Sequence, residues 1–237
     1  MKFFSLCLAA ASLLVASQAS AQVKYDITGT TDESLNGKKI ILALNFTKAA
    51  IDSTVVENGK FHFAGQTETP VMAMFTVDAR PRGIFTIEDG KIVASITKAG
   101  LKVSGTPNND ALAAYAEGGK QIQEKMQVIY DEFDNATEAR QAELSELYQK
   151  LYYEEIAYSA DFCKKNANLL MPAYILRSKA SSLSMEQLDE ILALDGPWKS
   201  TPETQSVIEF VGYKKATAVG KQFTDFEMND INGTARH

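Results

Sequence analysis

Few side chains of this 237-residue sequence could carry covalent, redox or metal chemistry. Histidine occurs only as His62 and His237, and cysteine only as Cys7 and Cys163. A nucleophilic hydrolase needs a serine or cysteine beside a histidine base, and the Gly-x-Ser-x-Gly elbow that presents a hydrolase serine is absent. His62 stands between Phe61 and Phe63 on an alternating stretch, so with both rings turned to a core it faces solvent. Two isolated histidines and one cysteine cannot assemble a zinc site. Asp230-x-Asn232-Gly233 resembles the start of a calcium loop but lacks the downstream bidentate glutamate, and it reads as an Asn-Gly turn.

The adjacent carboxylates Asp131-Glu132, Glu154-Glu155 and Asp189-Glu190 fall on helical patterns. Successive helical residues point about 100° apart, so these pairs cannot share a proton and read as solvated faces. No glycine-rich phosphate loop is present, neither the dinucleotide fingerprint nor the P-loop. Tyr148, Tyr152, Tyr153 and Tyr158 cluster on one helical pattern, where packing between helices is the ordinary role and a glycan- or peptide-binding face the sharper one. The sequons at Asn45, Asn135 and Asn232 matter only in a eukaryotic secretory route, and chance accounts for them. No catalytic, cofactor-binding or metal-binding residue is nominated, and no cofactor is implied.

The elements around these residues begin with an address. Lys2 is followed by an apolar run from Phe3 to Ala16, then by Ala19-Ser20-Ala21, the small-x-small pattern of signal-peptidase cleavage. A membrane-spanning helix needs about 20 apolar residues, so this run is too short for a lasting anchor. Residues 1–21 are therefore expected to be a cleavable signal peptide, with Gln22 as the mature N-terminus and no integral membrane segment afterwards. Lipid attachment at Cys7 is disfavoured by the bulky Leu6 before it. An exported chain left with Cys163 alone has no internal disulfide and no dithiol centre. Cys163 sits in a helical pattern and reads as a half-buried small apolar residue. The net charge of −6 and the lack of a basic patch exclude a nucleic-acid partner.

Residues 22–106 read as an antiparallel β-sandwich. Short strands include Lys39–Leu44, Thr54–Val56, Phe61–Gly65, Val71–Val77 and Ile92–Ile96, with turn signals every 8–12 residues or so. Asn58-Gly59 is the signature of a tight hairpin. At Gly105-Thr106-Pro107-Asn108-Asn109-Asp110 the period changes from 2 to 3.6, and residues 107–218 read as helical. Leu112, Tyr115, Ile122, Met126, Ile129, Tyr130 and Phe133 stripe a first helix, and Leu144, Leu147, Tyr148, Leu151 and Tyr152 a second, as a long antiparallel pair. A third helix starts near Asn168 so that Pro172 stays in its first turn. Ser184-Met185-Glu186-Gln187 is a capping box for a fourth. Thr201-Pro202-Glu203 opens a fifth that runs to about Ala218. Residues 219–237 return to period 2 and read as one strand and the beginning of a hairpin. The fold class is thus α+β, a sandwich followed by helices and a short C-terminal hairpin.

Three stretches together resemble a known arrangement. Tyr25-x-Ile27-x-Gly29, then Asp52-Ser53 with Asn58-Gly59-Lys60-Phe61-x-Phe63-x-Gly65 and Glu68-x-Pro70, then Leu101-x-Val103-x-Gly105-Thr106-x-x-Asn109 resemble an N-terminal β domain of unknown function. That domain precedes thioredoxin-like domains in envelope proteins of gut-type Gram-negative bacteria, and residues 107–218 resemble the helical spacer that follows it there. Val219-Gly220-x-x-Phe223-x-Asp225-Phe226 with Asp230-x-Asn232-Gly233 is similar to the first β-hairpin of the TlpA/ResA-like thiol-disulfide oxidoreductases. The resemblance implies a periplasmic or cell-envelope location and a family chemistry of Cys-x-x-Cys at a helix N-terminus. No such motif occurs here, and Cys163 matches no redox position, so no catalytic residue is carried over. The expectation is a non-catalytic accessory region (binding, orientation or dimerisation) of such an enzyme, ending at the start of an incomplete thioredoxin-like domain. Its partner would be a protein, the missing thioredoxin-like domain or a second copy. The alternative is a stand-alone cell-envelope binding protein for glycan or peptide.

Overall fold

A computed structural model describes residues 22–221, 228–229, 231 and 234–236. The expected signal peptide lies outside the described residues. Val23–Thr31 (β1), Lys39–Leu44 (β2), Ala50–Val55 (β3), Lys60–Thr67 (β4), Val71–Val77 (β5), Arg80–Ile87 (β6), Gly90–Thr97 (β7) and Gly100–Ser104 (β8) form two four-stranded sheets. Their orders are β4-β1-β7-β8 and β3-β2-β5-β6, and the α+β class holds, with a β region followed by helices.

Two features depart from a purely antiparallel sandwich. β1 runs parallel to β7, with Ile27 opposite Ile92, while pairing antiparallel with β4 on its other side. Asn58 (φ 50°) and Gly59 (φ 69°) do make a tight turn, but it closes no hairpin beyond the single bridge between Glu57 and Lys60. β3 belongs to one sheet and β4 to the other, so the turn carries the chain across the sandwich. The reason lies in Val56, which is buried and whose N–H donates to the Lys38 carbonyl at 2.9 Å, pinning the chain to the start of β2.

The core between the sheets is an aromatic column. Phe61, Phe63 and Phe85 surround Phe75 at centroid distances of 5.4, 5.9 and 4.5 Å, flanked by Ile27, Ile40, Ile87 and Ile92. Each such ring stabilises by roughly 1.5–3 kcal/mol through the area it removes from water. Two positions of the β1–β4 pair show why glycines stand there. Gly29 faces Phe61 and Gly65 faces Tyr25 across the ladder. The outer end of each side chain covers the bare backbone opposite it, an aromatic over a strand glycine. A Cβ on Gly29 would stand 2.0 Å from the Phe61 ring, and one on Gly65 2.5 Å from the Tyr25 hydroxyl oxygen.

The helices are Pro107–Phe133 (α1), Glu138–Lys165 (α2), Met171–Lys179 (α3), Met185–Leu192 (α4) and Pro202–Ala216 (α5). α1 and α2 form a hairpin roughly 40 Å long at 1.5 Å per residue. Its base packs into a second core around the fully buried Trp198, whose Nε1–H donates to the Ala167 carbonyl at 2.9 Å. Its outer part holds a small separate cluster of Ile122, Ile129, Leu144 and Leu151. Tyr130, Leu147 and Tyr148, expected on the inward stripes, are exposed, because a two-helix seam is narrower than the stripe of a helix covered on both flanks. α3 starts at Met171 and not near Asn168, which puts Pro172 at the second helical position, where its missing N–H costs nothing. The capping box at Ser184 and Gln187 forms as expected. At the C-terminal end Met228–Asn229 (β9) pairs antiparallel with Ala235–Arg236 (β10). No helix among the described residues is long and apolar enough to cross a membrane.

Gly29→Ala should lower the free energy of unfolding by about 1–3 kcal/mol, the usual cost of overpacking a core. Adding Phe61→Leu to it should recover part of that loss in urea unfolding. An unchanged midpoint for Gly29→Ala would contradict the close approach of Phe61 to Gly29.

Candidate functional site

The most densely built polar site lies where the sandwich meets the helices. Gly105 (φ 99°) ends β8, and a side chain there would run into the Lys91 carbonyl at 2.6 Å. Thr106 and Pro107 then start α1, with Pro107 in the first turn where its missing N–H costs nothing. This turn throws Asn108 and Asn109 onto the sheet edge. The Asn109 side chain behaves as one more strand residue beside β6. Its Oδ1 accepts the Thr86 N–H at 2.9 Å, and its Nδ2 donates to the Thr86 carbonyl at 2.9 Å and to Thr106 Oγ1 at 2.8 Å.

Asn108 faces the other way. Its backbone N–H donates to Glu88 Oε1 at 2.8 Å and its Nδ2 to Glu88 Oε2 at 2.7 Å, while its Oδ1 accepts the Leu170 N–H at 2.6 Å. Thr86, Glu88, Thr106, Asn108 and Asn109 are all buried. The Glu88 carboxylate thus spends one oxygen on a free N–H at the positive end of α1, a favourable place for negative charge. Glu88 directly follows β6, and Asn109 closes the Gly105-Thr106-x-x-Asn109 motif. Two consecutive asparagines at a helix start were the signal for this joint.

Beside the joint the two halves enclose a cleft of about 380 Å³. Leu44, Phe46, Pro70 and Val71 form its sandwich wall, and Leu170, Pro197 and Pro202 its helical wall. Glu203, in the first turn of α5, also lines it although only 4% exposed. Glu203 Oε1 accepts the Asn45 amide at 3.3 Å, a bond between the two halves.

The residues singled out by chemistry lie apart from this place. His62 faces solvent as its alternation requires, and its Nε2 lies 2.8 Å from Asp26 Oδ1 on the outer face of the sheet. Cys163 is fully buried, more so than the half-buried position expected, and burial pushes its thiol up to about 12. The tyrosine cluster divides. Tyr152 donates to Ser182 Oγ at 2.6 Å, and Tyr158 stacks on Tyr115 with centroids 5.4 Å apart, whereas Tyr148 and Tyr153 are exposed.

Among the paired carboxylates, Asp189 meets Lys215 at 2.6 Å and Glu132 meets Arg140 at 2.8 Å, both at the surface. Glu155 departs from the solvated face expected for it. It is buried, accepting from Lys179 Nζ at 2.7 Å and Gln123 Nε2 at 2.9 Å, because its side of α2 is covered by α1 and α3. Asp230 and Asn232 of the C-terminal turn lie outside the described residues. Among the described residues no group of three or more His, Cys, Asp or Glu side chains could hold a metal.

Asn109→Ala leaves both backbone groups of Thr86 buried without their partner, and the expected loss is about 2–4 kcal/mol in urea unfolding. Asn135→Ala, in the exposed turn after α1, should leave the midpoint within error, and equal effects would remove the joint's special status. The Cys163 thiol should resist a disulfide reagent at pH 8 in the folded chain and react once urea unfolds it. Its raised value means that the native state keeps a proton which the unfolded thiol, near its ordinary value of 9.0, has lost. Stability should therefore fall as pH climbs from about 9 toward 12, and Cys163→Ser should flatten that fall.

No curated protein matches this chain. Its segment from residue 25 to residue 112, the whole sandwich from Tyr25 together with the asparagine pair that begins α1, matches the family model described as a domain of unknown function, DUF4369.

Proposed function

We propose that this chain is a non-catalytic accessory region of an exported thioredoxin-like thiol-disulfide oxidoreductase of the cell envelope, holding a redox domain at a fixed distance and orientation. The observation that carries this reading is the joint. Buried bonds from Asn108 and Asn109 to Glu88, Thr86 and Leu170 tie sandwich and helices into one unit, as an orienting spacer requires. The state of the Cys163 thiol, away from the joint, agrees with it. Reactive protein thiols have depressed pKa values and solvent access, and Cys163 has neither. The motif order described above, from Tyr25-x-Ile27-x-Gly29 to Asp230-x-Asn232-Gly233, supplies the thioredoxin-like context.

Reading the gene downstream of the His237 codon tests the proposal. A Cys-x-x-Cys motif within about 30 codons is expected, the motif sitting at the first helix of such a domain. A stop codon with no such motif would overturn it, as would insulin-reducing turnover by this chain alone. In that event the second reading, a stand-alone binding protein for glycan or peptide, rests on the exposed Tyr130, Tyr148 and Tyr153 of the helical hairpin.

A further inference from the structure

We propose that the cleft between sandwich and helices is a binding site for a small amphiphilic amine, a protonated ammonium group on a compact apolar body. This goes beyond the spacer role and does not rest on it. Small-molecule sites are typically clefts of about 300–1,000 Å³ at domain interfaces, mostly apolar with a few convergent polar groups. At about 380 Å³, walled by Leu44, Phe46 and Val71 on one side and Leu170, Pro197 and Pro202 on the other, this cleft has that form.

Its charge selects the ligand. Glu203 is the only ionisable residue on the lining, and it is 4% exposed. A carboxylate offers about four acceptor positions. Among the described residues Glu203 receives one hydrogen bond, the 3.3 Å contact from Asn45 to Oε1, and Oε2 receives none. Four neighbouring donors are committed elsewhere. Lys48 Nζ lies on the Asn45 carbonyl, Lys199 pairs with Asp195, Thr201 Oγ1 donates to the Trp198 carbonyl and Ser200 Oγ to that of Pro197.

The Glu203 carboxylate keeps unused acceptor positions, and an ammonium brings three donors and the opposite charge. An anion would meet repulsion here. The walls are mostly apolar and the one charged group on the lining is an acceptor, which suits a cation better than a neutral sugar. A ligand seated on Glu203 would touch both halves of the molecule and add to the bond that Asn45 already makes across the cleft.

The test titrates the full chain with 3-phenylpropylamine and, separately, with the neutral 3-phenylpropanol, following backbone amide shifts by NMR. The amine should shift residues 44–47, 69–72 and 197–203, and bind at least about tenfold more tightly than the alcohol, the scale of a hydrogen bond to a charged group. Glu203→Gln should erase that preference while leaving the alcohol's affinity unchanged. Thr47→Trp, at the exposed rim of the cleft, should weaken both ligands. Should Glu203→Gln fail to fold, the amine–alcohol ratio in the unmodified chain and the Thr47→Trp result decide the matter. Equal affinity for the two ligands, amide shifts confined to other regions, or an amine preference that survives Glu203→Gln would overturn the proposal.

Discussion

The structure depends on how the open edge of β6 is closed. An edge strand presents N–H and C=O groups that must find partners once a second body packs against them. Here the partner is a side chain, the amide of Asn109, which reproduces the two-way bonding of a neighbouring strand at Thr86. The same helical turn brings Asn108 to Glu88 and to the Leu170 N–H, so a sheet edge, a helix start and the entry to α3 are satisfied together. Each bond alone is worth on the order of 1 kcal/mol, but breaking one leaves its buried partner unsatisfied, which costs more. The burial of Leu170 and Met72 in the helical core, and the cleft beside them, follow from that fixed meeting point.

Much of the fold is legible in the sequence because the relevant physics is local. Phe61-x-Phe63 alternates, so both rings enter the core and His62 turns out. Asn58-Gly59 allows two successive positive φ angles, and the turn forms. Whether that turn joins paired strands is not a local property. It depends on Val56 finding Lys38, and so the hairpin expected there becomes a crossing between sheets. The parallel β1–β7 pair was likewise hidden, since nothing in a strand's own pattern names its neighbours.

The joint and the cleft were less legible than the strands, for a related reason. Glu88 lies between two strands and Glu203 in a first helical turn, and neither position by itself marks a buried residue. Their burial comes from the other half of the molecule, through Asn108 in one case and Asn45 in the other. Glu155 follows the same rule, its side of α2 being covered by elements met before and after it in the chain. A charged residue's burial is decided by what arrives opposite it, and that partner is distant in the sequence.

The placement of β1 at the centre of its sheet also sets an order of events. Val23 to Thr30 must meet Lys60 to Thr67 on one side, and Tyr25 must meet Gly90, sixty-five positions downstream, on the other. Pairings of such long range close large loops before any contact repays the lost chain entropy, which slows folding. Of the eight sandwich strands, the one made first is thus among the last to find its place. Until β7 has been delivered, Tyr25, Ile27 and the bare backbone at Gly29 remain without the sheet that buries them.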